Sequence, residues 1–85
     1  LVIASNSSRE NVDRIMSYHQ IDPTLFDYIY TREDVPNKKP APDMGHLIFE
    51  KFPQYDSEDF LLVGDSEVDS TFARKLGIKC IIIKF

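Results

Sequence analysis

Four short apolar runs, each flanked by polar residues and separated by segments of helical spacing, constrain this chain more than any other feature. Leu1-Val2-Ile3-Ala4 is broken by Ser5-Asn6-Ser7-Ser8, and Phe60-Leu61-Leu62-Val63 is stopped by Gly64-Asp65-Ser66. Phe26-Asp27-Tyr28-Ile29-Tyr30 is a weaker run, interrupted by Asp27, and Ile78 to Phe85 contains the last. Continuous apolar runs of this length suit strands of a parallel sheet covered on both faces. After the first run, Val12, Ile15, Met16 and His19 recur at helical spacing. Ser7 with Glu10 fits a capping box at that helix start, and Pro23 should stop the helix. His19 reads as a surface or C-terminal helix residue rather than a ligand. Thr31 to Pro40 is expected to be a polar loop. Met44, Leu47, Ile48 and Phe52 give a second helix, opened by Pro42 and ended by Pro53. Glu67 to Leu76 gives a third, with Val68, Phe72, Ala73 and Leu76 inward and Gly77 in the left-handed position past its end. The order β-α-β-α-β-α-β implies an α/β fold, a parallel sheet with helical crossovers. No repeat, low-complexity tract or linker divides residues 1–85.

With 85 residues the chain is long enough for one small domain, and such a domain buries only about 60–65% of its unfolded surface. A formal net charge of -4 and scattered basic residues argue against nucleic acid as a partner, since phosphate backbones need concentrated Lys and Arg. No apolar run approaches the roughly 20 residues that span a bilayer, which argues against a membrane partner. Cys80 is the only cysteine, so no intrachain disulfide can form. Beside Ile81-Ile82-Ile83 it reads as a small buried hydrophobe, and a reducing, cytoplasmic setting follows. The chain opens without a methionine, already inside a strand, and closes on strand-like residues, so it reads as a piece of a longer protein.

In open α/β sheets, ligands bind beyond the carboxyl ends of the strands. Ser5 follows the first strand, Lys39 lies in the loop after the second, and Asp65 follows the third, with Asp69 four residues on. A hydroxyl, an ammonium and two carboxylates at one sheet edge suit a phosphate and a magnesium ion. Magnesium takes one or two carboxylates plus phosphate oxygens and water. Lysine supplies a compact positive charge, and serine a directional hydrogen bond. The amides at the start of the helix after Ser5 are expected to face the same edge. Taken singly, Ser5 reads as a turn former, Lys39 as a solvated loop charge and Gly64-Asp65-Ser66-Glu67-Val68-Asp69 as a tight turn. Their order is what carries the argument.

Ala4-Ser5-Asn6 after an apolar strand resembles the second motif of the haloacid dehalogenase (HAD)-like hydrolases. Lys39-Pro40-Ala41-Pro42-Asp43 resembles the third-motif lysine region of the phosphoglycolate phosphatase and β-phosphoglucomutase-like subgroup. Val63-Gly64-Asp65-Ser66-Glu67-Val68-Asp69, continuing to Ala73 and Leu76-Gly77-Ile78, resembles the fourth motif and its helix. A response-regulator receiver places its acidic residues first and its lysine last, so the order here disfavours it. The resemblance implies a Rossmann-like HAD core and an Mg²⁺ cofactor. It also implies roles: Ser5 would hydrogen-bond a phosphoryl oxygen, Asn6 would shape that loop and Lys39 would offset negative charge. Asp65 would bind Mg²⁺, and Asp69 would reach the metal through water or orient the site. Such enzymes pass a phosphoryl group from a small phosphorylated metabolite to an aspartate and then to water.

The family's first motif, Asp-x-Asp, supplies the nucleophile and the general acid, and no Asp-x-Asp occurs among the 85 residues. The cap insertion that sets substrate choice in the family precedes the second motif, so it is missing as well. The chain alone is therefore expected to be inactive. In the family the first-motif strand lies between the strands ending at Ser5 and Asp65. Without it, unpaired strand edges invite self-association or direct pairing of those two strands. Two other readings stay open: a non-catalytic phosphate- or metal-binding scaffold, and a phosphomutase or phosphotransferase.

Overall fold

The computed structural model describes residues 1–83, so Lys84 and Phe85, which the sequence places with the fourth strand segment, lie outside the described residues. The chain falls into two compact units, Leu1–Asn37 and a second beginning at Lys38.

In the first unit, β1 (Val2–Ala4) pairs in parallel with β2 (Tyr28–Tyr30), with Ile3 opposite Ile29. The ladder extends at both ends, through the Asp27 N–H to the Leu1 carbonyl at 2.7 Å and the Ser5 N–H to the Tyr30 carbonyl at 3.0 Å. The second strand is shorter than the expected Phe26–Tyr30 run; Phe26 instead ends a 3-10 turn over Pro23–Leu25. Between the strands lies α1 (Arg9–Tyr18), which buries Val12 and Met16 and leaves Ile15 exposed. Its cap is Ser8, whose Oγ accepts the Asn11 N–H at 3.1 Å, and this corrects the expected box of Ser7 with Glu10. Ser7 is engaged elsewhere, its amide donating to Ser5 Oγ and its carbonyl accepting from the Arg32 N–H. His19 caps the helix C-terminus and is exposed, as its position suggested. The chain then turns through Gln20 at φ 56. The expected polar loop holds a 3-10 turn, Arg32–Asp34, flanked by the buried Thr31 and Val35.

In the second unit the Lys39–Pro40 peptide is cis. Pro42 sits immediately before α2 (Asp43–Lys51), which buries Met44 completely and ends at Phe52, before Pro53. Phe60 is flanked by Phe49 and Tyr55, with ring centroids 5.1 and 6.2 Å away. Strand β3 (Leu61–Gly64) pairs in parallel with β4 (Lys79–Ile82), and α3 (Glu67–Leu76) is the crossover between them. Gly77 lies just past α3 at φ 70, ψ 29, a left-handed conformation that costs a side-chain-bearing residue more than glycine. The Ile78 N–H to Ala73 and Gly77 N–H to Arg74 bonds, at 3.1 and 3.2 Å, complete a Schellman motif there.

The described strands thus form two parallel two-stranded sheets, β1-β2 and β3-β4. The expected burial of every strand on both faces does not hold. Along β3-β4, Leu62, Gly64, Cys80 and Ile82 are half-buried, whereas Leu61, Val63, Ile81 and Ile83 are exposed. One crossover helix covers one face of a two-stranded sheet, so Cys80 is half-buried rather than deep in a core. No helix of the described residues is long and apolar enough to cross a membrane.

Candidate functional site

The carboxyl end of β3 carries most of the charged chemistry. The strand delivers Gly64 and Asp65 to its end, and α3 begins two residues later with Asp69 in its first turn, where the helix dipole favours a carboxylate. Asp69 is buried, and its two oxygens have different partners. Oδ1 accepts from Lys39 Nζ at 2.8 Å, and Oδ2 accepts the Asp65 amide N–H at 3.2 Å. The Lys39 and Asp69 side chains are each only 10% exposed. The Lys39 ammonium also lies 5.8 Å from the centroid of the buried Phe72 ring, within cation–π range. An ion pair taken out of water is held in register by such extra partners rather than by Coulomb attraction alone. The Asp65 side chain is exposed at the strand end.

Gly64 is required by this packing. A Cβ built there would fall onto Cβ and Oδ2 of Asp69, in space that Asp69 cannot vacate without leaving Lys39. Gly64→Ala is therefore expected to destabilise the chain by about 1–3 kcal/mol, as overpacking does. A urea unfolding series checks this, and a midpoint unchanged from wild type would contradict it.

Ser5 and Asn6 belong to the first unit, directly beyond β1. Ser5 Oγ accepts the Ser7 amide N–H at 3.0 Å, an arrangement that uses a lone pair and keeps the hydroxyl proton for donation. Two amides at the start of α1 are already taken, contrary to the expectation that they stay free. The Asn11 N–H goes to Ser8 Oγ and the Arg9 N–H to the carboxylate of Glu33. Of the five residues singled out in the sequence, Lys39, Asp65 and Asp69 are joined in one hydrogen-bonded cluster. Sequence reasoning missed Glu33, Thr31 and the ring of Phe72 beneath Lys39. A signal for Thr31 was present, because Thr31-Arg32-Glu33-Asp34 has the spacing of a capping box between Thr31 and Asp34, and that box forms.

No cluster of three or more His, Cys, Asp or Glu side chains able to hold a metal ion occurs among the described residues. Magnesium does not need one, since it keeps several waters and binds through one or two carboxylates plus phosphate oxygens. The exposed Asp65 fits that requirement directly. Asp69, with both oxygens engaged, fits a supporting place behind it.

The haloacid dehalogenase-like hydrolase family model matches residues 1–83. The chain is 32% identical over 83 residues to the bifunctional riboflavin kinase/FMN phosphatase of Arabidopsis thaliana, a match covering 98% of this chain and 22% of that protein. Among solved structures it is similar to a HAD-superfamily hydrolase, subfamily IA, variant 1, from Geobacter sulfurreducens. That match has a TM-score of 0.83 at 29% identity and covers 96% of this chain and 41% of the other. It is also similar to a protein classed as a phosphoglycolate phosphatase from Lactobacillus delbrueckii subsp. bulgaricus. There the TM-score is 0.77 at 28% identity, over 96% of this chain and 33% of that one. The chain thus spans about a fifth of the length of the curated relative and 33–41% of these two structures. Parallel strands with helical crossovers, three motifs in order and a match over nearly every residue lead to one assignment: the chain belongs to the haloacid dehalogenase-like hydrolases.

Proposed function

We propose that these residues form part of a Mg²⁺-dependent phosphatase acting on small phosphomonoesters through a phosphoaspartate intermediate. The observation that carries this reading is the buried Lys39–Asp69 pair set directly behind the exposed Asp65. Similarity to a bifunctional riboflavin kinase/FMN phosphatase and to a protein classed as a phosphoglycolate phosphatase supports a small phosphorylated metabolite as substrate.

In this reading Ser5 donates its hydroxyl proton to a phosphoryl oxygen, and Asn6 shapes the same turn. Lys39, oriented by Asp69, places a fixed positive charge where negative charge gathers on the phosphoryl group. Asp65 holds Mg²⁺, with Asp69 fixing the Asp65 backbone rather than offering its own oxygens. When bound there, the ion would supply charge neutralisation for the phosphoryl group. The aspartate nucleophile has no counterpart among these 85 residues, so the chain alone is expected not to turn over substrate.

The test is Mg²⁺-dependent hydrolysis of a phosphomonoester by a protein that contains this chain together with an Asp-x-Asp strand. There, Asp65→Asn is expected to remove most of the activity, because the metal loses a charged ligand. Near-normal turnover in that variant would sink the assignment.

A further inference from the structure

Residues 29–34 grip the turn that carries Ser5. Both oxygens of Glu33 accept the Arg9 amide N–H, at 3.2 and 3.0 Å, and the Thr31 hydroxyl donates to Glu33 Oε2 at 2.9 Å. The Arg32 amide donates to the Ser7 carbonyl at 3.2 Å. In the other direction, the Arg9 guanidinium donates to the Ile29 carbonyl at 2.7 Å and to Asp34 Oδ2 at 3.4 Å. Asp34 Oδ2 in turn accepts the Thr31 amide at 2.7 Å. The Ser5–Arg9 turn and the segment after β2 are therefore tied at several points inside one unit. The Glu33 carboxyl is held below the ordinary glutamate range, chiefly by the Thr31 hydroxyl, with the Arg9 amide and the Arg32 charge adding to it.

The first amide of α1 is thus occupied by a carboxylate of the chain itself. A carboxylate at a helix N-terminus satisfies an orphan donor and complements the dipole. Its anchor is Thr31, which is fully buried, so the contact ties the start of α1, next to the Ser5–Ser8 turn, to the segment after β2. A loop held in its binding-competent form avoids the affinity loss that a partly populated form imposes.

We propose that Glu33, braced by Thr31, is a positioning residue for the Ser5–Ser8 turn. This rests on the reading of that turn as a phosphate-binding element. Glu33 acts through the Arg9 amide, leaving Ser5 to meet the phosphoryl group.

The test uses the full chain and two measurements, amide hydrogen exchange and titration with inorganic phosphate followed at the Ser5–Ser8 amides. Glu33→Ala is expected to speed exchange at Ser7 and Arg9 about tenfold, with the middle of α1 unchanged. It is also expected to weaken phosphate binding severalfold. Glu33→Gln keeps a carbonyl acceptor and is expected to restore both readouts most of the way, which loss of the charge alone would not allow. Wild-type exchange at Ser7 and Arg9 in Glu33→Ala would overturn the proposal, as would faster exchange with unchanged phosphate affinity. If inorganic phosphate leaves the wild-type turn unshifted, the phosphate reading of Ser5 falls. Exchange then decides the clamp by itself, faster rates at Ser7 and Arg9 supporting it and unchanged rates overturning it.

Discussion

Asp69→Ala is expected to destabilise the second unit by about 3–5 kcal/mol, the cost of leaving one member of a buried ion pair without its partner. The Lys39 ammonium is nearly excluded from water and donates a 2.8 Å bond to Asp69 Oδ1. Truncation also removes the acceptor of the Asp65 amide. For a small domain with an ordinary stability of roughly 5–15 kcal/mol, that is a large share of the total. Urea unfolding followed by circular dichroism reads the loss as a fall in midpoint of roughly 2 M at the slopes usual for small proteins. Asp69→Asn, which keeps an acceptor for the Asp65 amide, should fall between the two. Replacing both partners together, Lys39→Met with Asp69→Leu, should recover much of the loss, because no uncompensated charge remains. Asp69→Ala within about half a kcal/mol of wild type would mean that Lys39 is solvated, and the account of the pair would fail.

The second large effect is expected at Phe72. Its side chain is almost fully buried on α3, beside the equally buried Ala73, and it underlies the Lys39 ammonium. Phe72→Ala removes a whole ring from a packed interior and is expected to cost about 3–5 kcal/mol. Phe72→Leu should cost less, because most of the volume returns. The two differ from Asp69→Ala in kind: an apolar replacement at Phe72 recovers stability, whereas an apolar replacement at Asp69 recovers it only when Lys39 is replaced as well. Unfolding midpoints of the four variants check this pattern, and a Phe72→Ala midpoint equal to wild type would contradict it.

Elements with a strong local signal were legible in the sequence. The helix Glu67–Leu76 and the left-handed Gly77 were expected from apolar spacing and a single glycine, and both occur with those bounds. The parallel pairing of strands followed from the alternation of strands with helices. The cap of α1 was not legible to the residue, because Ser5, Ser7 and Ser8 all offer hydroxyls within one turn. Only tertiary contacts, such as that between the Arg32 amide and the Ser7 carbonyl, decide which of them caps the helix. Strand burial was overestimated for a similar reason. An apolar run shows that a strand can be covered on both faces, while the alternating exposure of Leu61, Val63, Ile81 and Ile83 depends on how many helices reach the sheet. In the candidate site, Lys39, Asp65 and Asp69 were singled out from strand ends and motif order, and the structure joins them by hydrogen bonds. The different partners of the two Asp69 oxygens were not legible, since they depend on tertiary contacts. Glu33 was missed because its partner, the Arg9 amide, is a backbone group 24 residues away that no side-chain pattern reveals.

The central claim is that the end of β3 and the turn after β1 are the metal- and phosphate-binding parts of a phosphatase. The most direct measurement is a titration of the 15N-labelled chain with Mg²⁺ and then with inorganic phosphate, comparing wild type with Asp65→Asn and Ser5→Ala. The account predicts Mg²⁺-dependent shifts at the Asp65 and Ser66 amides that Asp65→Asn abolishes. It also predicts phosphate-dependent shifts at Ser5 and Asn6 that Ser5→Ala weakens. Mg²⁺ shifts that persist unchanged in Asp65→Asn, or no response of either segment to either ion, would contradict it.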